Sequence, residues 1–195
     1  MKKNTAIFLD RDGTINDEVG YLDHENKLQI IPAAFEAVRL INESGMKAVV
    51  ITNQAGVAKG LLTEKFVRKI NGQIQSALLE RGALIDRFYF CPHHPSEGND
   101  PYRKICDCRK PEPGLLHQAA ADLDIDLARS YLIGDRLRDI ETAHRAGARG
   151  ILVMTGYGQD LMQQAGPDQA NEFNQPDHIA KNILEAVCWI LKDRT

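Results

Sequence analysis

Five short runs of nearly unbroken apolar residues punctuate the chain, at positions 6–9, 48–52, 88–91, 131–133 and 150–154. Their continuity and their Ile, Val, Phe and Tyr content suit parallel strands buried on both faces, not the in–out alternation of a half-exposed sheet. Between them, apolar positions recur at helical spacing with clear punctuation. A helix over 33–44 stops at Gly45, a usual residue just past a helix end. A second opens at Thr63, before Glu64, and closes at Arg81-Gly82. A third covers 137–146 and ends at Gly147. Asp177 can cap a last helix whose Ile179, Ile183, Val187 and Ile190 form one apolar face. Strand–helix alternation predicts an α/β fold, a three-layer doubly wound parallel sheet with helices on both faces. One domain over 1–195 is expected, without internal repeats. Two stretches lack periodicity, 91–109 and 156–176; the second is rich in Gln, Asp and Gly and reads as a surface connection.

Composition narrows the classes of function. The 195 residues carry a net charge of −3, with 43% hydrophobic and 26% charged residues. No global basic field draws this chain to nucleic acid or to an anionic membrane, so an anionic substrate must be captured locally. The basic start Met1-Lys2-Lys3 is followed by an apolar run far too short for a signal peptide. No run approaches the roughly 18 apolar residues of a membrane span. The expectation is a cytoplasmic protein acting as a monomer, with its four cysteines reduced.

The candidate chemistry sits at the ends of the apolar runs. Asp10 and Asp12 follow the first, and Gly134-Asp135 follows the fourth. In open α/β sheets the ligand crevice lies beyond the C-terminal strand ends. Residues two apart in extended chain point the same way, so Asp10 and Asp12 can face one pocket while Arg11 points away. Gly13 permits a sharp, left-handed turn. A single Asp at a strand end usually caps a turn. Three converging carboxylates repel one another unless a cation joins them, and hard oxygen ligands suit Mg²⁺.

A second cluster lies in the aperiodic loop at 91–108. Cys91-Pro92-His93 and, twelve residues on, Cys106-Asp107-Cys108 offer three thiols and one imidazole, a closed tetrahedral set for structural Zn²⁺. His94 is the other candidate ligand; a redox pair at Cys106 and Cys108, or scattered buried cysteines, are the competing readings. Ordering such a loop costs roughly 1–2 kcal/mol per residue in backbone entropy. A structural zinc returns about 10–16 kcal/mol in favourable peptides, so metal offsets a large part. Arg109-Lys110 follow at once, so folding the loop also places a lysine near the strand ends. Cys188 reads as a helix core residue, and His24, His117, His144 and His178 as solvated or core positions.

Asp10-Arg11-Asp12-Gly13-Thr14, Thr52 ending the second strand, Lys110, and Gly134-Asp135 with Asp139 together resemble, in order, the four motifs of the haloacid dehalogenase (HAD) superfamily of phosphohydrolases. The resemblance implies strand order 3-2-1-4-5 and an aspartyl-phosphate mechanism. In it Asp10 is the nucleophile and Asp12 the general acid and base. Thr52 and Lys110 bind the transferring phosphoryl group, and Mg²⁺ is held by Asp10, Asp135 and the Asp12 carbonyl. Asp139 would support Asp135 or Lys110, a plain surface acid being the alternative. Cys-Pro-His-His-Pro followed by Cys-x-Cys-Arg-Lys-Pro is similar to the capless bacterial heptose 1,7-bisphosphate 7-phosphatases. Their likeness implies a phosphorylated sugar substrate that loses its C7 phosphate, contacted by Glu18, Val19, Gly20, Tyr21, Asn53, Gln54 and Arg109. An arginine fork at Arg109 suits a second phosphate. Histidinol-phosphate phosphatase domains are the nearby alternative. A different class, a zinc-stabilised nucleic-acid module using Arg103, Lys104, Arg109 and Lys110, is opposed by the acidic balance and the lack of interleaved aromatics.

Overall fold

The computed structural model describes residues 3–164 and 175–194, with the side chains of 162–164 left aside. The apolar runs form strands β1 (Ala6–Leu9), β2 (Lys47–Asn53), β3 (Arg87–Cys91), β4 (Tyr131–Gly134) and β5 (Arg149–Val153). A sixth, β6 (His178–Ala180), joins them in one fully parallel sheet of order β3-β2-β1-β4-β5-β6.

Strict alternation along the central strands divides the core in two. Ile7 and Leu9 of β1 and Ile133 of β4 face one side, where they meet α1 (Pro32–Glu43), α2 (Glu64–Leu79) and α6 (Ile183–Asp193). Ala6, Phe8 and Leu132 face the other, against α3 (Gly114–Leu123) and α4 (Leu137–Arg145). Both faces are therefore dry, which is why these strands read as continuous apolar runs. The helix ends obey local chemistry. Pro32 occupies the first turn of α1, where its missing N–H costs nothing. The Thr63 hydroxyl accepts the Phe66 N–H at 3.1 Å to open α2.

Three expectations are corrected. The five-strand order gains β6 at its edge, because Ile179 belongs to a strand and not to the last helix. Ile179 shares a four-residue spacing with Ile183 and Val187, which imitates a helical face, yet it is 39% exposed on an edge strand. The cap of α6 is Asn182, whose side chain accepts the Glu185 N–H at 3.1 Å. Asp177 instead accepts the Gly150 N–H at 2.7 Å and pairs with His144 at 2.8 Å, tying β6 to β5 and α4. The stretch from 156 is also not plain connection, since α5 (Gly158–Gln164) starts within it; residues 165–174 lie outside the described residues. Among the described residues no helix is long and apolar enough to cross a membrane.

Candidate active site

β1 and β4 are neighbours, and the Asp10 N–H donates to the Ile133 carbonyl at 2.9 Å. Asp10 and Asp135 thus leave adjacent strand tips side by side. One carboxylate oxygen from each of Asp10, Asp135 and Asp139 lies within 4.8 Å of the others. Asp139, in the first turn of α4, is fully buried, so the surface-acid alternative is excluded. Its carboxylate accepts the Arg136 N–H at 3.0 Å and meets the Lys110 ammonium at 2.6 Å. Lys110, 2% exposed, also reaches Asp10 at 2.9 Å and the Ile51 carbonyl at 3.2 Å.

Burial of so many charges sets the electrostatics. Burial pushes the Asp10 carboxyl up to about 6, against the pull of Lys110. Burial, with Asp10 and Asp139 as like-charged neighbours, pushes Asp135 up to about 8, opposed by the Tyr157 N–H. Burial alone would discharge Lys110, yet Asp10 and Asp139 outweigh it and hold the ammonium above its ordinary range. Among the described residues Asp135 Oδ1 is buried without a hydrogen-bond partner, while Oδ2 accepts the Tyr157 N–H at 2.9 Å. An orphaned carboxylate oxygen among three clustered acids is a donor set that fits Mg²⁺. The glycines around it leave no alternative: a Cβ on Gly13, whose φ is +81°, or on Gly156, would stand 2.1 Å from Asp135 Oδ2.

Asp12 departs from the simple alternation. The chain turns immediately after β1, with the Arg11 carbonyl accepting N–H groups from Thr14, Ile15 and Asn16. Arg11 therefore does not point away; it is 1% exposed and grips Asp12 through Nε at 3.1 Å and Nη2 at 2.9 Å. Asn71 on α2 anchors the same guanidinium at 3.3 Å. Asn16 donates to Asp12 at 2.9 Å and Gln54 at 2.8 Å; Gln54 also donates to the Thr52 hydroxyl at 3.0 Å. Burial raises the Asp12 carboxyl, but the Arg11 charge and these hydrogen bonds outweigh it and keep it below the usual carboxylate range.

Asp10, Asp12, Thr52, Gln54 and Lys110 line a cleft of about 250 Å³. Of the expected substrate contacts, Glu18, Gly20, Tyr21, Asn53, Gln54 and Arg109 line it. Val19 does not; it is 41% exposed and borders a separate depression with Asp17 and Asp160. Asn53 exchanges two 3.0 Å hydrogen bonds with the Lys110 backbone, so its side chain holds the lysine in place. Arg136, Arg138 and Tyr157 also line the cleft, beyond the residues that the sequence singles out. The two arginines flank the turn after Gly134-Asp135, a proximity that sequence does show. Tyr157 falls in a stretch without periodicity, and no pattern marks it.

The loop cluster is compact. Cys91, His93, Cys106 and Cys108 offer four ligand atoms within 4.8 Å of one another, and all three cysteines are free thiols. Sulfur–sulfur separations are 3.6, 3.1 and 3.4 Å, and His93 Nδ1 lies 3.4 Å from Cys108. Zn–S bonds of about 2.3 Å imply a tetrahedral edge of about 3.8 Å, slightly wider than this, so small outward shifts accommodate the ion. The contact shared by Cys91 and Cys108 carries the Cys108 thiol down to about 5 and pushes the Cys91 thiol up, as expected of sulfurs crowded together without a cation. His94 turns elsewhere: its Nδ1 accepts the Glu97 N–H at 2.9 Å. The loop reaches the cleft through the His93 carbonyl, which accepts from Arg109 at 3.0 Å.

Comparison with known proteins extends this geometry. A HAD-hydrolase-like family model matches residues 107–186. The D-glycero-D-manno-heptose-1,7-bisphosphate 7-phosphatase of Chlorobaculum tepidum is 39% identical over 193 residues, covering 96% of this chain and 94% of that one. The D-glycero-beta-D-manno-heptose-1,7-bisphosphate 7-phosphatase of Salmonella typhi is 41% identical over 194 residues, covering 99% and 98%. The crystal structure of D,D-heptose 1,7-bisphosphate phosphatase from B. bronchiseptica, complexed with magnesium and phosphate, superposes with a TM-score of 0.83 at 29% identity, covering 97% and 99%.

Proposed function

The chain belongs to the HAD-like phosphatase family of these heptose-bisphosphate relatives, and from that premise we propose that it removes the C7 phosphate of D-glycero-D-manno-heptose 1,7-bisphosphate. It is a phosphoric monoester hydrolase. We take the chain as one catalytic domain with a zinc loop at 91–108. The observation that carries the reading is the convergence of Asp10, Asp135 and Lys110 on adjacent strand tips, beneath a cleft lined by arginines.

In this mechanism the Asp10 carboxylate attacks phosphorus and the bond from phosphorus to the C7 oxygen breaks, giving an aspartyl phosphate. The Arg11 N–H and Lys110 both engage Asp10 through Oδ1, so Oδ2 is free of these two donors. Asp12 gives its proton to the departing alkoxide, then takes one from the water that attacks phosphorus and frees Asp10. Arg11 keeps Asp12 ionised in the substrate-free site; the negative charge of an arriving phosphate acts in the opposite sense and favours the acid form. The Thr52 hydroxyl and Lys110 would hold the phosphoryl oxygens, where one placed donor contributes about 3 kcal/mol. Mg²⁺, held by Asp10, Asp135 and the Asp12 carbonyl, would supply positive charge between two anions that otherwise repel. Zn²⁺ at Cys91, His93, Cys106 and Cys108 would fix the loop that carries Arg109 and Lys110, with no part in the bond changes. The C1 phosphate would meet the Arg109 fork, already oriented by the His93 carbonyl.

Phosphate release from heptose 1,7-bisphosphate and from histidinol phosphate, measured side by side with Mg²⁺, tests the assignment. A kcat/KM favouring the heptose by orders of magnitude is expected; the reverse preference would move the chain to the histidinol-phosphate enzymes.

A further inference from the structure

Four cationic side chains line the cleft, and they are not equivalent. Lys110 lies between two carboxylates. Arg136 faces Glu18 at 3.8 Å and stacks 3.5 Å above the Tyr157 ring. Among the described residues Arg109 donates only to a neutral carbonyl. Arg138 is half-buried, and among the described residues its guanidinium has no hydrogen bond or ion pair.

The position of Arg138 is unfavourable on its own account. It is the second residue of α4, and the positive end of a helix dipole favours acids there. Arg109 lines the same cleft and is likewise half-buried. Two guanidinium groups cannot shed their protons at any ordinary pH. Holding both in a partly desolvated cleft is therefore costly until an anion lies between them. Arg138 is also three residues from Asp135 and next to Asp139 on α4, which ties this cation closely to the acids of the site.

We propose that Arg138 is a specificity-determining residue, which with Arg109 clamps the phosphoryl group that is not cleaved and so selects doubly over singly phosphorylated sugars. The inference rests on the heptose-bisphosphate reading above and deepens it. A planar fork on each side of a phosphate gives several charge-assisted hydrogen bonds that a sugar hydroxyl at the same place cannot match.

The test compares heptose 1,7-bisphosphate with heptose 7-phosphate in the wild-type enzyme and in Arg138→Gln and Arg138→Lys. The quantity read is the ratio of the two kcat/KM values, which cancels a general loss of folded protein. Arg138→Gln is expected to lower that ratio about tenfold or more, equivalent to about 1.4 kcal/mol. Arg138→Lys should recover part of it, since it keeps the charge and loses the fork. A wild-type preference that survives undiminished in Arg138→Gln overturns the role of Arg138 alone. A wild-type ratio near one overturns the clamp and the second-phosphate reading together. Failure of the wild-type enzyme to hydrolyse either sugar would remove the premise itself.

Discussion

Asp12 is held by three different side chains, and its protonation is where the chemistry of this site is decided. Arg11, Asn16 and Gln54 all favour the carboxylate, so the free site is poised as a base and becomes an acid only with phosphate beside it. Asp12→Asn should lower kcat/KM for alkyl phosphates by about 10²–10⁴, the usual contribution of a positioned acid. The loss should be far smaller for p-nitrophenyl phosphate, whose leaving group departs without a proton. Equal losses on both substrates would show that Asp12 does not protonate the leaving group. The sequence alone exposes the acids but misorients Arg11, since two-residue alternation holds only while the chain stays extended. Three N–H groups converging on the Arg11 carbonyl show that the strand has already ended. Asp139, by contrast, is marked only by the family resemblance, which implies support for Asp135 or Lys110; nothing local reveals that Lys110, twenty-nine residues earlier, reaches its carboxylate.

At the scale of elements, the 91–108 loop is the clearest case of side chains substituting for regular structure. β3 delivers Cys91 to the edge of the sheet, and Cys106 and Cys108 return to pack beside the core face formed by α3 and α4. Cys106→Ala should remove bound zinc and lower Tm, and it should weaken substrate binding as well, because the His93 carbonyl that orients Arg109 loses its anchor. Full zinc content with the native Tm in that variant would refute the structural role. The cysteine spacing was legible because metal ligation demands a fixed set of residue types. β6 was not: three residues, one of them exposed, carry too little pattern to compete with the helical spacing that continues into α6. Its existence depends on the free edge of β5, a partner that only the assembled sheet supplies.

Across the whole molecule, parallel strands bring every acidic tip to one end of the sheet, and the site stores the resulting repulsion. The raised carboxyls of Asp10, about 6, and Asp135, about 8, bind protons that the unfolded chain does not. Without metal, their contribution to stability is greatest near their ordinary values and is lost as pH rises through 6 and then 8. A bound divalent cation offsets that loss. The rise in Tm on adding Mg²⁺ should therefore be small near about pH 5 and grow toward about pH 9. A shift of constant size over that range would place the metal elsewhere. Covalent chemistry at Asp10 is the step on which all the others depend. Rapid quenching during turnover, followed by mass spectrometry of the peptide containing residue 10, measures this directly. One phosphoryl group on Asp10, absent from a folded and inactive Asp10→Asn variant, is the predicted result; a phosphoryl group on another residue, or steady turnover by Asp10→Asn, would contradict it.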